Sequence, residues 1–365
     1  MKITLLTSSR ADYSIYLPLL KELRQDDFFQ LDLIVFGTHL SHEYGLTIKN
    51  IINDNFNIFL KIETMPLGDA AFDISKSIGD TITKFSEIWK NDKSNLIIAL
   101  GDRFEMFAAC IAALPFGKKI AHIHGGETTL GAIDDSLRHS ITLMSQLHFV
   151  TTDIYAKKIK ELKGGEDGIH NVGALSIDNL KNLDLLTIEE FKEKFNIDLS
   201  IPTILITFHP ETVEFEKNDN HIREIINSLN SVDGFQFVFT MPNADTMGKV
   251  VREVILNYVN KTANAIAVES FGTLGYLSCM KHCSFLLGNT SSGFVEASFF
   301  PKYVINLGER QTGRILTSNI KQCIINKESI LNAIDEYSQF DPTQKIETYG
   351  EGNAAKKIIT VLKSI

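Results

Sequence analysis

Acids, cations and imidazoles gather in this chain where apolar runs give way to helical patterns. The stretch Gly101-Asp102-Arg103-Phe104-Glu105 sets an acid, a cation and a second acid side by side. Downstream comes His122-Ile123-His124-Gly125-Gly126-Glu127, and then Asp134 and Arg138. Carboxylates and imidazoles exchange protons near neutral pH, and guanidinium forks match phosphate oxygens while keeping their charge. The chemistry open to such a set is proton transfer beside an anionic group. Each residue also has a plainer reading. Asp102 can cap the next helix, and Glu105 is a helix-start residue favoured by the dipole. Asp134 and Arg138, four apart on a predicted helix, make an ion pair. His122 and His124, two apart in an extended strand, point the same way, which allows a metal site and a metal-dependent hydrolase. The arginines nearby would repel a cation, so the expectation is no metal.

A second set suits the binding of an anion. In Leu-Leu-Gly-Asn-Thr-Ser-Ser-Gly-Phe-Val-Glu-Ala-Ser, residues Ser291, Ser292 and Gly293 would offer N–H groups and hydroxyls at a helix N-terminus, a phosphate site. Simple capping by serine reads equally well. Arg10, Arg103, Arg310 and Arg314 each follow a predicted strand, and His209 lies at the end of another. The chain has neither GxxxxGK[ST] nor GxGxxG after its first strand, which argues against a P-loop and against a dinucleotide cofactor. No cofactor is expected.

These residues need elements to hold them. Apolar, β-branched runs of strand length occur at 2–8, 30–37, 57–62, 95–102, 119–126 and 147–152, with helical patterns at 15–24, 46–53, 74–89, 104–113, 134–144 and 154–162. A second series of strands follows at 203–210, 235–242, 265–270, 285–289 and 303–308. Strands alternating with helices predict parallel sheets covered on both faces. The chain therefore reads as α/β, two doubly wound halves over 1–175 and 176–350, with the last helix, 353–365, able to return to the first half. Ligands of such sheets bind beyond the carboxyl ends of the strands, where Arg10, Asp102, Arg103, His122 to Glu127, His209, Ser291 to Gly293, Arg310 and Arg314 fall. Two such halves facing across a cleft would share the ligand.

Bulk properties narrow the class. A chain of 365 residues exceeds what one core usually supports. Composition is ordinary for a soluble protein, 44% hydrophobic and 22% charged, and the net charge of −9 argues against nucleic acid as a partner. No apolar run approaches the roughly 20 residues that span a bilayer, so no membrane partner is expected. The four cysteines, Cys110, Cys279, Cys283 and Cys323, form no disulfide pattern and suit a reducing cytoplasm.

Taken in order, the segments SRADYS, GDRFE, HIHGGETTLGAIDDSLRHSIT, FHPET, MPNAD, GNTSSGFVEAS and INLGERQTGR resemble the UDP-N-acetylglucosamine 2-epimerases, and most closely their hydrolysing branch in sialic- and legionaminic-acid-type biosynthesis. The resemblance implies two Rossmann-like domains in the GT-B-like arrangement, a homodimer, and a UDP-sugar as partner. It implies acid/base residues on the first domain, matching Asp102, His124, Asp134 and Arg138, with Glu127 a further candidate. On the second it implies a UDP site in which Ser291, Ser292 and Gly293 hold the diphosphate and Glu296 the ribose. His209 and Arg10 would meet phosphates with Asn243 nearby, and Arg103, Arg310 and Arg314 would complete the lining. Many relatives have Glu where this chain has His124. The implied reaction removes H2 as UDP leaves C1, then hydrates the 2-acetamidoglucal to N-acetylmannosamine. UDP-N,N'-diacetylbacillosamine is the alternative substrate; a GT-B glycosyltransferase and a non-catalytic nucleotide-sugar binder are the alternatives of other classes.

Overall fold

The computed structural model describes residues 1–66, 68–242, 248–341, 343–344 and 346–365. They form two compact units. The first contains Met1–Glu127, Ile133–Lys181 and Tyr349–Ile365; the second contains Thr128–Ala132 and Asn182–Thr348.

In the first unit the strands are β1 (Lys2–Thr7), β2 (Gln30–Phe36), β3 (Ile58–Ile62), β4 (Leu96–Leu100), β5 (Ile120–Ile123), β6 (Leu147–Val150) and β7 (Ile169–Asn171). The helices are α1 (Arg10–Gln25), α2 (Ile48–Asn53), α3 (Ala71–Trp89), α4 (Phe104–Ala113), α5 (Asp134–Met144), α6 (Asp153–Lys163) and α7 (Leu175–Asn182). The sheet is parallel, ordered β3-β2-β1-β4-β5-β6-β7. Its central strands are apolar on both sides because both are covered. Ile3, Leu5, Leu33 and Val35 join α1 in one core. Leu6, Ile34 and Phe36 turn the other way, onto Phe85 and Trp89 of α3 and Met106 of α4.

The second unit has β8 (Thr203–Thr207), β9 (Gln236–Thr240), β10 (Ala265–Val268), β11 (Phe285–Gly288), β12 (Val304–Leu307) and β13 (Ile320–Cys323). They form a parallel sheet ordered β10-β9-β8-β11-β12-β13. Its helices are α8 (Ile188–Phe195), α9 (Asn218–Leu229), α10 (Gly248–Val259), α11 (Gly272–His282), α12 (Glu296–Phe299) and α13 (Lys327–Glu336). One face packs on α9, α10 and α13, the other on α8, α11 and α12. The last helix, α14 (Ala354–Lys363), lies against α1 in the first unit.

The protein is thus α/β with two Rossmann-like units, GT-B-like in its chain organisation. In each, strand order reverses at one point: between β1 and β4, and between β8 and β11. The carboxyl ends beside those points are where this architecture binds ligands. Among the described residues no helix is long and apolar enough to cross a membrane.

Candidate functional site

In the first unit the β1–α1 turn is organised by a buried acid. Ser9 caps α1 and accepts from the Asp12 N–H, while the Asp12 carboxylate accepts from the N–H groups of Ser8 and Ser9 at 2.7 and 2.9 Å. Thr7 Oγ1 donates to the same carboxylate at 2.9 Å. Behind it sits His39, fully buried, with Nε2 2.9 Å from Thr7 Oγ1 and Nδ1 2.8 Å from Thr47 Oγ1. Burial alone would raise the Asp12 carboxyl; His39 and the backbone donors outweigh it and hold it below the ordinary carboxylate range. This network fixes where Arg10 begins its helix. Asp12 and His39 escaped the sequence reading, although Ser-x-x-Asp is a capping-box signature that marks Asp12.

The next two strand ends lie side by side. Leu100 of β4 pairs with Ile123 of β5, and the Gly101 N–H donates to the Ile123 carbonyl at 3.0 Å. Gly101, at φ 76°, turns the chain so that Asp102 and Arg103 follow at the start of α4. Asp102 accepts from Arg138 of α5, a buried guanidinium. Arg138 therefore serves the acid at the β4 end, beyond the local i,i+4 pairing with Asp134 read from spacing. Arg103 donates through Nε and Nη2 to Glu105 at 3.2 and 3.1 Å, and Glu105 is wholly buried. Glu105 is thus more than a helix-start residue, because the fold sets it where it can orient the arginine.

His122 and His124 do not point the same way. β5 ends at Ile123, and His124 takes a left-handed backbone at φ 63°. His122 stays in the core, with Nε2 2.7 Å from the Gly101 carbonyl and Nδ1 3.1 Å from Thr142 Oγ1. Burial pushes its imidazole down to about 3. His124 turns instead to Glu127, with Nδ1 3.1 Å from Oε1. The metal reading loses its geometry with this divergence. Among the described residues no cluster of His, Cys, Asp or Glu suited to a metal forms.

In the second unit β8 ends at Thr207, and His209 just beyond it has its backbone clamped by Asn289. The His209 N–H donates to Asn289 Oδ1 at 2.7 Å, and Asn289 Nδ2 donates to the His209 carbonyl at 2.8 Å. The Asn289 carbonyl accepts from Gln311 Nε2 at 2.8 Å, and Gln311 Oε1 accepts from Arg314 Nε at 2.6 Å. One chain of bonds therefore ties together the ends of β8, β11 and β12. Gly288 permits the closest step: a Cβ there would lie 1.9 Å from the Thr207 carbonyl oxygen. Ser291–Gly293 form a 3₁₀ turn of their own, and the helix that follows, α12, is only four residues. The expected helix N-terminus is reduced to this turn, so an anion here would meet the N–H groups and hydroxyls of Ser291–Gly293. Ser291 is exposed, while Ser292 Oγ bonds Tyr276 Oη at 2.5 Å. Glu296, which opens α12, and Arg310, beyond the end of β12, are half-buried. Asn243 lies outside the described residues.

A cavity of about 210 Å³ opens among Leu130, Gly131, Glu211, Val213, Glu214, Glu309 and Thr312. The Leu130 N–H donates to the Thr312 carbonyl at 2.9 Å there. Glu211, buried, accepts from the Glu309 N–H at 2.7 Å. Three carboxylates make this cavity unsuited to a diphosphate.

The sequence profile of the family described as UDP-N-acetylglucosamine 2-epimerase matches residues 21–363. The chain is 35% identical over 326 residues to the GDP/UDP-N,N'-diacetylbacillosamine 2-epimerase (hydrolyzing) of Campylobacter jejuni, covering 89% of this chain and 85% of that protein. It is 30% identical to the UDP-N,N'-diacetylbacillosamine 2-epimerase (hydrolyzing) of Legionella pneumophila over 365 residues, 100% of this chain and 96% of the other. Its fold is that of the UDP-GlcNAc 2-epimerase of Neisseria meningitidis bound to UDP-GlcNAc, with TM-score 0.85, 19% identity and all of both chains covered.

Proposed function

The chain belongs to the UDP-N-acetylglucosamine 2-epimerase family, and from that premise we propose that it is a hydrolysing UDP-sugar 2-epimerase, converting UDP-N-acetylglucosamine and water into N-acetylmannosamine and UDP. The observation that carries the chemistry is the pairing of Leu100 with Ile123, which sets Asp102 and His124 at adjacent strand ends. Inversion at C2 needs proton exchange on two faces of the ring, which one carboxylate cannot serve. In the proposed route a base takes H2, the electron pair forms the C1–C2 double bond, and the C1–O bond breaks to release UDP. Water then adds at C1 of the glycal while C2 receives a proton from the opposite face. Asp102 and His124 are the principal acid/base groups; Arg138 holds Asp102, and Asp134 assists. Ser291, Ser292 and Gly293 take the diphosphate, Glu296 the ribose, and Arg10, Arg103, His209, Asn243, Arg310 and Arg314 the remaining polar contacts. Charge from such groups stabilises the departing diphosphate. The first unit carries the proton transfers in this proposal and the second the nucleotide.

The names of the two bacterial relatives favour UDP-N,N'-diacetylbacillosamine as the second candidate substrate. A homodimer in the cytoplasm, serving sialic-acid-type synthesis, completes the proposal. The four cysteines are free and buried, which suits a reducing compartment. The test is to incubate the protein with each sugar nucleotide in heavy water and identify the products by mass spectrometry and NMR. UDP with a free 2-epimer deuterated at C2 is expected. A sugar passed intact to an acceptor would mark a glycosyltransferase, and binding without UDP release a sensor.

A further inference from the structure

His124 carries an unusual backbone and an unusual side chain. A histidine at φ 63° adopts a conformation that most side chains avoid, and it does so between a buried strand and two glycines. Its N–H still donates to the Phe149 carbonyl at 3.1 Å, so the ladder with β6 is kept while the side chain is redirected. His124 is 7% exposed, and its Nε2 has no hydrogen-bond partner among the described residues. Nδ1 lies 3.1 Å from Glu127 Oε1. Glu127 is 1% exposed, and Thr151 Oγ1, at the end of β6, donates to the same oxygen at 3.3 Å. A buried carboxylate that accepts from Nδ1–H fixes the tautomer and leaves the other nitrogen, itself buried, as the one with a lone pair to take up a proton.

We propose that Glu127 is a positioning residue: it holds His124 with Nδ1 protonated, so that Nε2 alone exchanges protons at the reacting carbon. The inference deepens the proposed function and rests on the proton-transfer role given there to His124. Other groups near the ring leave this balance intact. His122 on β5 and His148 on β6 are both neutral near pH 7, because burial pushes them down to about 3 and about 4. Asp102 at the end of β4 and Arg138 on α5 neutralise each other.

The experiment is ¹⁵N NMR of histidine-labelled protein, with His124 assigned by its loss in His124→Gln, beside pH profiles of UDP release from UDP-N-acetylglucosamine and UDP-N,N'-diacetylbacillosamine. Wild-type His124 is expected as the Nδ1–H tautomer. Glu127→Gln should lower kcat by about 10²-fold or more with little change in KM. It should also alter the pH profile of kcat/KM, since an amide carries no charge to face the ring. Glu127→Asp should restore part of the rate. An Nε2–H tautomer in the wild type, or a Glu127→Gln variant with unaltered rate and profile, overturns the inference. Failure to release UDP from either sugar would instead overturn the proposed function, and the NMR result would still judge Glu127.

Discussion

Two nitrogens of the Arg103 guanidinium are held by a carboxylate that is itself sealed from water. An ion pair in that setting adds little net stability, but breaking one side of it strands a charge. Glu105→Gln should therefore destabilise the first unit by about 3 kcal/mol, the low end for such pairs, because Arg103 still reaches solvent. Urea unfolding measures this, and the Glu105→Gln/Arg103→Met double variant should recover most of the loss. If the single variant unfolds as the wild type does, Glu105 is not Arg103's anchor. What the residue pattern disclosed here was identity rather than partnership. Asp102, Arg103, His124, Glu127 and Arg138 all stood out by type and position. That Arg138 serves Asp102, and that Glu105 serves Arg103, depends on side-chain directions that spacing does not carry. The left-handed turn at His124 was hidden for the same reason: the run continues as a strand in sequence, and only the hydrogen bond to β6 and the pull of Glu127 show where it stops.

At the level of elements, β5 and β6 bring His122 and His148 into register in the interior. His148 is buried with only the Ser145 backbone to bond its ring, and burial pushes it down to about 4. Its folded pKa lies below the unfolded value near 6.5, so the unfolded chain binds more protons as pH falls. The stability this group contributes is complete above about pH 6.5 and is lost progressively towards pH 4. His148→Leu should flatten the fall in unfolding free energy across that window by up to about 1.4 kcal/mol per pH unit, read from urea titrations at pH 7, 6, 5 and 4. An unchanged slope would show that His148 is already paired or hydrated. The interior strands were legible because continuous Ile, Leu and Val runs have no other home in a doubly wound sheet. β7, Ile-His-Asn, and β13, Ile-Lys-Gln-Cys, were not, because they are short, lie at sheet edges and are only half covered. Ser291–Gly293 misled in the opposite direction, since a 3₁₀ turn and a helical first turn share the same Ser-rich signature.

At the scale of the whole chain, the first unit is not finished until the end of the chain has been reached. α14 brings Ala354, Ala355, Ile358, Ile359 and Leu362 into the core that Leu17, Leu19, Leu20 and Leu23 of α1 begin. Its first turn is received by α7, where the Asp178 carboxylate accepts from the N–H groups of Ala354 and Ala355 at 2.9 and 2.8 Å. Gly173, just before α7, allows the approach, since any Cβ there would press on the Tyr349 carbonyl. Burying Ile358, Ile359 and Leu362 is worth roughly 5–9 kcal/mol at about 1.5–3 kcal/mol per side chain. A domain's whole stability is about 5–15 kcal/mol. A chain ending at residue 348 should thus lose the cooperative melting of its first unit, while the second unit, whose cores draw nothing from α14, keeps its own transition. Calorimetry of the 365-residue and shortened chains separates the two. Asp178→Ala, which removes only the cap, should lower the first transition without abolishing it, by about 1 kcal/mol. A shortened chain that melts as the full chain does would mean that α1 and the sheet hold the unit alone, and that the helix merely covers a finished core.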